Sequence, residues 1–298
     1  MSGTYILRKG HAELDDLVDG AEAKIGPGAA KVYYVNGATW ANGFAAGSDG
    51  NDGLSKDAPI HTLTEAIARC TDGGNDTIIV LDYWAATGET WPIAVNKDVI
   101  NIIGVGAKPM WNWAALYSAS DVCMDITGSH VYIHGLSFTP ISSSPGVTFD
   151  DGAENVWLDR CDFPSGVQGV LLAAGDMNWG LSITNCRFFG ALTVGGILIN
   201  DDVVGTLIEG NIFERLAGDC IHITDANVGH IRNNTFALAS NGAGLAVTLA
   251  TSTSEFMVDQ NHAVYGEATT TSPYDEEGTS TTNGWGLNYL NLTAITCA

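Results

Sequence analysis

A short apolar motif ending in phenylalanine returns about every 25 residues, and few folds can accommodate it. Five copies align: VYIHGLSF (131–138), VWLDRCDF (156–163), LSITNCRF (181–188), TLIEGNIF (206–213) and HIRNNTF (230–236). Their last residues, Phe138, Phe163, Phe188, Phe213 and Phe236, are 25, 25, 25 and 23 positions apart. A degenerate copy, FMVDQNHA, occupies 256–263. Five residues before each phenylalanine stands an aliphatic: Ile133, Leu158, Ile183, Ile208 and Ile231, then Val258 in the degenerate copy. Two residues before it the column reads Leu136, Cys161, Cys186, Asn211, Asn234 and Asn261.

Between copies lies a further short apolar run: 147–149, 170–172, 197–199, 221–223 and 245–247. Strands of three to five residues, separated by Gly, Asn and Asp turns and recurring at this period with no helix between, predict a coil of a parallel β-helix. The Leu pattern of a leucine-rich repeat is absent, and a propeller blade needs ~40 residues. Coils stacked ~4.8 Å apart place equivalent residues above one another, so the Ile and Phe columns become buried ladders. The Asn column falls where the chain bends, and stacked amides can hydrogen-bond along the axis. Cys161 and Cys186, in the same column, read as reduced core thiols.

Composition agrees. The 298 residues include 36 glycines, as a turn-rich chain requires, and 45% are hydrophobic, which excludes a disordered acidic chain. With 12 Lys and Arg against 34 Asp and Glu, the net charge of −22 argues against generic nucleic-acid binding, which depends on cations. No apolar run approaches the ~20 residues that span a bilayer, so no membrane partner is expected. Residues 1–30 hold no apolar core of the kind a signal peptide needs, and synthesis in the cytoplasm is expected. The six cysteines form no zinc-type spacing.

A solenoid needs its ends covered. TLTEAIARC (62–70) reads as a short amphipathic capping helix, with Leu63, Ala66, Ile67 and Cys70 on one face and Thr62 or Thr64 at the N-cap. The organisation expected is an attachment or oligomer segment over 1–30, the β-helix over 31–265, and a cap or oligomer contact over 266–298.

GSDGNDGLSKDAPIHTLTEAI (47–67) followed by DTIIVLD (76–82) resembles the opening segment of pectate-lyase-like right-handed parallel β-helix proteins. In overall look the chain is most similar to β-helix proteins of tailed bacteriophages, which begin with a Y-V-N strand like Tyr34-Val35-Asn36. The resemblance implies an all-β, single-stranded right-handed solenoid located in a virion, usually a homotrimer. Its partners would then be other capsid or tail proteins.

Candidate sites follow from the acids. Asp150, Asp151, Asp176, Asp201, Asp202 and Asp225 recur in the turn after the second strand, in successive coils. Stacking sets neighbouring acids roughly 5 Å apart and next-but-one acids roughly 10 Å apart, spacings that suit glycoside hydrolysis. If the chain cleaves polysaccharide, Asp176, Asp201, Asp202 and Asp219 are the acid, base or nucleophile candidates. Asn200-Asp201-Asp202, Gly218-Asp219-Cys220 and Gly229-His230-Ile231-Arg232 match polygalacturonase motifs only in part. Cations are scarce, Arg160, Arg187, Arg215 and Arg232 being the only ones after Lys108, which leaves a lyase short of a base. Asp49, Asn51 and Asp52 have the alternating oxygens of a calcium loop, and equally of Asx turns. His134, His222 and His230 form no ligand set and read as surface residues. Trp157 and Trp179 could stack on sugar rings, or pack. The leading expectation is a structural phage β-helix that decorates a capsid or forms a fibre or tail component, without cofactor unless calcium. The alternatives are a tailspike-type polysaccharide hydrolase or lyase, and a non-catalytic adhesin for host surface glycan.

Overall fold

The computed structural model describes residues 30–38, 43–83, 87–105, 114–119, 121–141, 143–173, 175, 179–238, 244–265, 272–277, 282–291 and 293–295. The expected attachment segment 1–30 therefore lies almost wholly outside the described residues. The described residues wind into an all-β parallel solenoid.

Each full coil carries three short strands, because the repeated motif is itself two strands bent at one residue. The first face stacks β1 (Val32–Asn36), Thr77–Asp82, Asn101–Gly104, Tyr132–His134, Val156–Asp159, Leu181–Thr184, 206–209, 229–232, 256–259 and Gly284–Trp285, all in parallel. The second face runs from Ala114–Tyr117 to Asn288–Leu290, and the third from Ile93–Val95 to Tyr274–Glu276. Register is direct, so each sequence column is a physical column: Leu158 pairs with Ile133 and Ile183, and Phe188 with Phe163 and Phe213.

The bend between the first and second faces repeats a left-handed residue at Gly135 (φ 67°), Arg160 (52°), Asn185 (54°), Gly210 (70°), Asn233 (57°) and Gln260 (56°). That conformation directs the next residue inward. Here Asn211, Asn234 and Asn261 are fully buried, and Asn288 joins them as a fourth rung. Asn211 Nδ2 donates to Asn234 Oδ1, Asn234 Nδ2 to Asn261 Oδ1, and Asn261 Nδ2 to Asn288 Oδ1, each at 3.0 Å. Each Oδ1 also accepts the backbone N–H of the preceding rung, satisfying a donor that the bend takes out of the β ladder. Cys186 and Cys161 continue the column, Cys186 N donating to Asn211 Oδ1 and Cys161 N to Cys186 Sγ. Burial raises the Cys186 thiol well above its ordinary value, which keeps it protonated and inert, as a core thiol should be.

The phenylalanines stack with ring centroids 5.2, 4.7, 4.7 and 5.0 Å apart from Phe138 to Phe236. Small residues leave room for them: a Cβ on Gly169 would lie 2.6 Å from the Phe188 ring, and one on Gly196 2.7 Å from the Phe213 ring.

Helix α1 (Leu63–Arg69) is N-capped by Thr62, whose Oγ1 accepts from Glu65 N, and it buries Leu63, Ala66 and Ile67 against the core. Two boundaries differ from expectation. The third-face strand expected at 245–247 pairs as 247–249, opposite 221–223. The solenoid also does not end at 265: Tyr274–Glu276, Gly284–Trp285 and Asn288–Leu290 add parallel rungs to all three faces. The repeat of this last coil is masked in the sequence because Trp285 stands in the aliphatic column and Leu290 in the phenylalanine column. Thr293–Ile295 then turns back antiparallel onto Asn288–Leu290. Among the described residues no helix is long and apolar enough to cross a membrane.

Candidate functional site

The outer side of the first face carries two columns of side chains, one through Tyr132, Trp157, Ser182, Leu207, His230 and Met257, the other through His134, Asp159, Thr184, Glu209, Arg232 and Asp259. From Tyr132 to Asn185 they form a dense polar and aromatic network. Asp159 is its centre. Its Oδ2 takes His134 Nδ1 at 3.0 Å and the Tyr132 hydroxyl at 3.4 Å, while Oδ1 takes Thr184 Oγ1 and Asn185 Nδ2, both at 2.8 Å. Burial works to raise the carboxyl pKa, but the hydrogen bonds from His134, Asn185 and Thr184 outweigh it and hold Asp159 below its ordinary value. An ionised Asp159 accepts only, so the proton between it and His134 sits on Nδ1. The Tyr132 hydroxyl is pushed up by burial and then by the Asp159 charge, and remains a donor. Trp157 packs on Tyr132 with centroids 5.0 Å apart and is held by Nε1 donating to Thr184 Oγ1 at 2.7 Å.

Trp157 is therefore part of a built surface, whereas Trp179, 55% exposed, stands in a corner outside this network. His134 is not a lone surface histidine, as expected from sequence; it is oriented by Asp159. The signal was available: His134, Asp159 and Thr184 each precede a repeat phenylalanine by four residues.

The candidate acids do not converge. Asp201, Asp202 and Asp225 gather in the corner between the third and first faces, where burial and then the charges of Asp202 and Asp201 raise the Asp225 carboxyl. Asp201 Oδ1 accepts from Gly175 N and Asp202 N, each at 2.9 Å, and Asp202 accepts from Asn227 Nδ2. Asp219 occupies the opposite end of the third face, six residues before Asp225, or up to ~20 Å along an extended strand. There its carboxylate accepts from Leu245 N at 2.8 Å and Thr248 Oγ1 at 2.9 Å, with His222 Nδ1 3.6 Å distant. His230 and Arg232 lie on the first face, Arg232 against Glu209. The partial polygalacturonase motifs thus occupy two corners and a face. Asp176 lies outside the described residues.

In the 49–52 loop, Asp49 Oδ1 accepts from His61 N and Thr62 N, and its Oδ2 from Thr62 Oγ1 at 3.0 Å. Asn51 Nδ2 donates to Pro59 O, and Asp52 Oδ1 closes an Asx turn onto Leu54 N. The Arg69 guanidinium donates to the carbonyls of Asp49 and Asn51. Protein donors thus already use both carboxylate oxygens of Asp49 and Oδ1 of Asp52, and among the described residues no three His, Cys, Asp or Glu side chains come together as a metal set.

Residues 115–263 match the family described as right handed beta helix region. The chain belongs to that family. Residues 45–119 also match a family described as Protein of unknown function (DUF1565), so the two matches together cover the β-helix almost from its first rung. No curated protein matches. Among solved structures, the β-helix is similar to an alginate lyase from Paenibacillus sp. str. FPU-7, at 16% identity and a TM-score of 0.36 over 77% of this chain and 97% of that one. It is also similar to the Dettilon tailspike protein (gp208), at 12% identity and a TM-score of 0.29 over 87% of this chain and 68% of that one. At such distances these likenesses concern the fold alone, and the function of this β-helix has to be argued from its own residues.

Proposed function

We propose that the protein is a structural, non-catalytic β-helix of a tailed-phage particle. The observation that carries this reading is the use made of the candidate acids. Asp201 and Asp219 accept from backbone N–H groups and Asp202 from Asn227, as turn-stabilising carboxylates do. The overall resemblance to tailed-phage β-helix proteins, which begin with a Y-V-N strand like Tyr34-Val35-Asn36, supplies the particle. Mass spectrometry of gradient-purified particles tests it, with stoichiometric peptides from this chain as the expected result. Absence from particles, or release of new reducing or unsaturated ends from host polysaccharide by the purified protein, overturns it.

A second reading, a non-catalytic glycan adhesin, is favoured by the Tyr132–Trp157–His134–Asp159 network, which sets an aromatic body beside oriented hydrogen-bonding groups. It predicts host-glycan binding without turnover, lost in Trp157→Ala; equal binding by that variant rejects it.

A further inference from the structure

Cations are few on this chain, so what each arginine faces is informative. Arg187 and Arg232 are engaged one rung away, Arg187 gripping Glu214 through two hydrogen bonds of 3.0 and 2.9 Å and Arg232 lying against Glu209. Arg215 is different. It is exposed at the end of the second face, its backbone N–H donating to Ala237 O at 2.7 Å. Among the described residues its guanidinium has no hydrogen-bond or ion-pair partner.

Beside it opens a depression of about 440 Å³ lined by Phe189, Gly190, Glu214, Arg215 and Ala237. Its shape follows from the register. Phe189 pairs with Glu214 and Glu214 with Ala237, so Gly190, the residue after Phe189, stands one rung from Arg215 and contributes no side chain. A larger residue is opposed there: Gly190 is left-handed at φ 76°, and an added Cβ would lie 2.4 Å from Pro164 O. Ala237 keeps the opposite side low. The Arg187 guanidinium, 4.1 Å over the Phe189 ring, holds the ring that forms the apolar wall.

We propose that this depression binds a small organic carboxylate with an apolar body, of the aryl-alkanoic acid kind. Arg187 and Arg215 against Glu214 leave one positive charge in excess here, on a chain of −22. Glu214 does not compete for Arg215, because both its oxygens accept from Arg187. A planar guanidinium matches a carboxylate with two parallel N–H donors. The negative chain opposes an approaching anion, but at physiological ionic strength that field is screened beyond about 8 Å, so the nearest groups decide. The body must be apolar, since the Phe189 and Ala237 side chains offer no hydrogen bond and a sugar's hydroxyls would lose water there without replacement. The volume falls toward the lower end of the roughly 300–1,000 Å³ of small-molecule sites, which suits one ring and its carboxylate. The site lies on another face from the Tyr132–Trp157 network, and the inference goes beyond the particle reading without depending on it.

Ligand-observed NMR titration of the purified chain with phenylpropionate tests it. Saturable binding at millimolar probe is expected. It should be weaker by about tenfold or more for phenylpropionamide, for glucuronate, and for phenylpropionate on Arg215→Gln, since each removes the charge-assisted pair or the apolar contact. Arg160→Gln, at an exposed arginine of another corner, should bind as the wild type does. No saturable binding overturns the proposal, as does equal binding of the amide or of glucuronate, undiminished binding by Arg215→Gln, or an equal loss in Arg160→Gln. Should circular dichroism show Arg215→Gln misfolded, phenylglyoxal labelling of the wild type, read by peptide mass spectrometry, decides instead. The probe is expected to slow labelling of Arg215 and not of Arg160, and an unchanged Arg215 rate rejects the site.

Discussion

Replacing Asn234 by Leu, nearly equal in volume, separates the hydrogen bonding of the buried ladder from its packing. Asn234 Oδ1 accepts from Asn211 N at 2.9 Å and Asn211 Nδ2 at 3.0 Å, while its Nδ2 donates to Ile208 O and Asn261 Oδ1, both at 3.0 Å. Two of these partners keep another bond: Asn211 Nδ2 still reaches Ile183 O, and Asn261 Oδ1 still accepts from Asn234 N. Asn211 N loses its partner, whereas Ile208 O stays within the parallel backbone ladder with 229–232. A buried polar group left unsatisfied costs about 1–3 kcal/mol, and that is the loss predicted. Against a typical domain stability of 5–15 kcal/mol, that is a large fraction. Equilibrium urea unfolding followed by circular dichroism measures the loss, and hydrogen exchange locates it, with faster exchange at the Asn211 amide. A loss below about 1 kcal/mol, the centre of ordinary point-mutation effects, would falsify the claim that these amides hold the bend.

Three further outcomes are expected. Gly196→Ala puts a methyl 2.5 Å from Cys220 O and 2.7 Å from the Phe213 ring, and should lower stability by about 1–3 kcal/mol in the same unfolding assay. Val228 is β-branched, 42% exposed and held at φ 56°; Val228→Asn, which tolerates that region, should add about 1 kcal/mol, seen as a raised thermal midpoint. Asp159 has a folded pKa below its unfolded value of about 3.9, so its contribution is fully present above that value and is lost as pH falls through the lower folded value. Thermal midpoints taken across the acid range should therefore fall more steeply in the wild type than in Asp159→Asn.

The inward columns were legible because each must be filled in the same way in every coil: Ile133 to Val258, Phe138 to Phe236 and Asn211 to Asn261 repeat in type as well as in spacing. Asn288 was missed because its neighbours in the last coil change type, Trp285 standing in the aliphatic column and Leu290 in the phenylalanine column. Outward columns carry no such constraint. His134, Asp159 and Thr184 share a column but not a chemistry, so their network appears only when adjacent rungs are read as neighbours. Asp219 looked like a companion of Asp201 and Asp202 because the sequence does not say which of the coil's corners a turn occupies. The Asp49 loop looked like a cation site because its oxygens are visible in sequence, whereas Arg69, from the far end of α1, is not visibly their partner.

The antiparallel strand Thr293–Ile295 has a consequence for how molecules can join end to end. A stack of parallel rungs is a template, since its last open strand offers the same hydrogen-bonding edge that every earlier rung used. On the second face that edge is already occupied, by a strand running the other way with a different bond pattern. Another coil, from this chain or a neighbour, cannot extend that face in register. Molecules lined up axially would meet at a joint, and a continuous filament could not grow from this end. Side-by-side association leaves this barrier untouched.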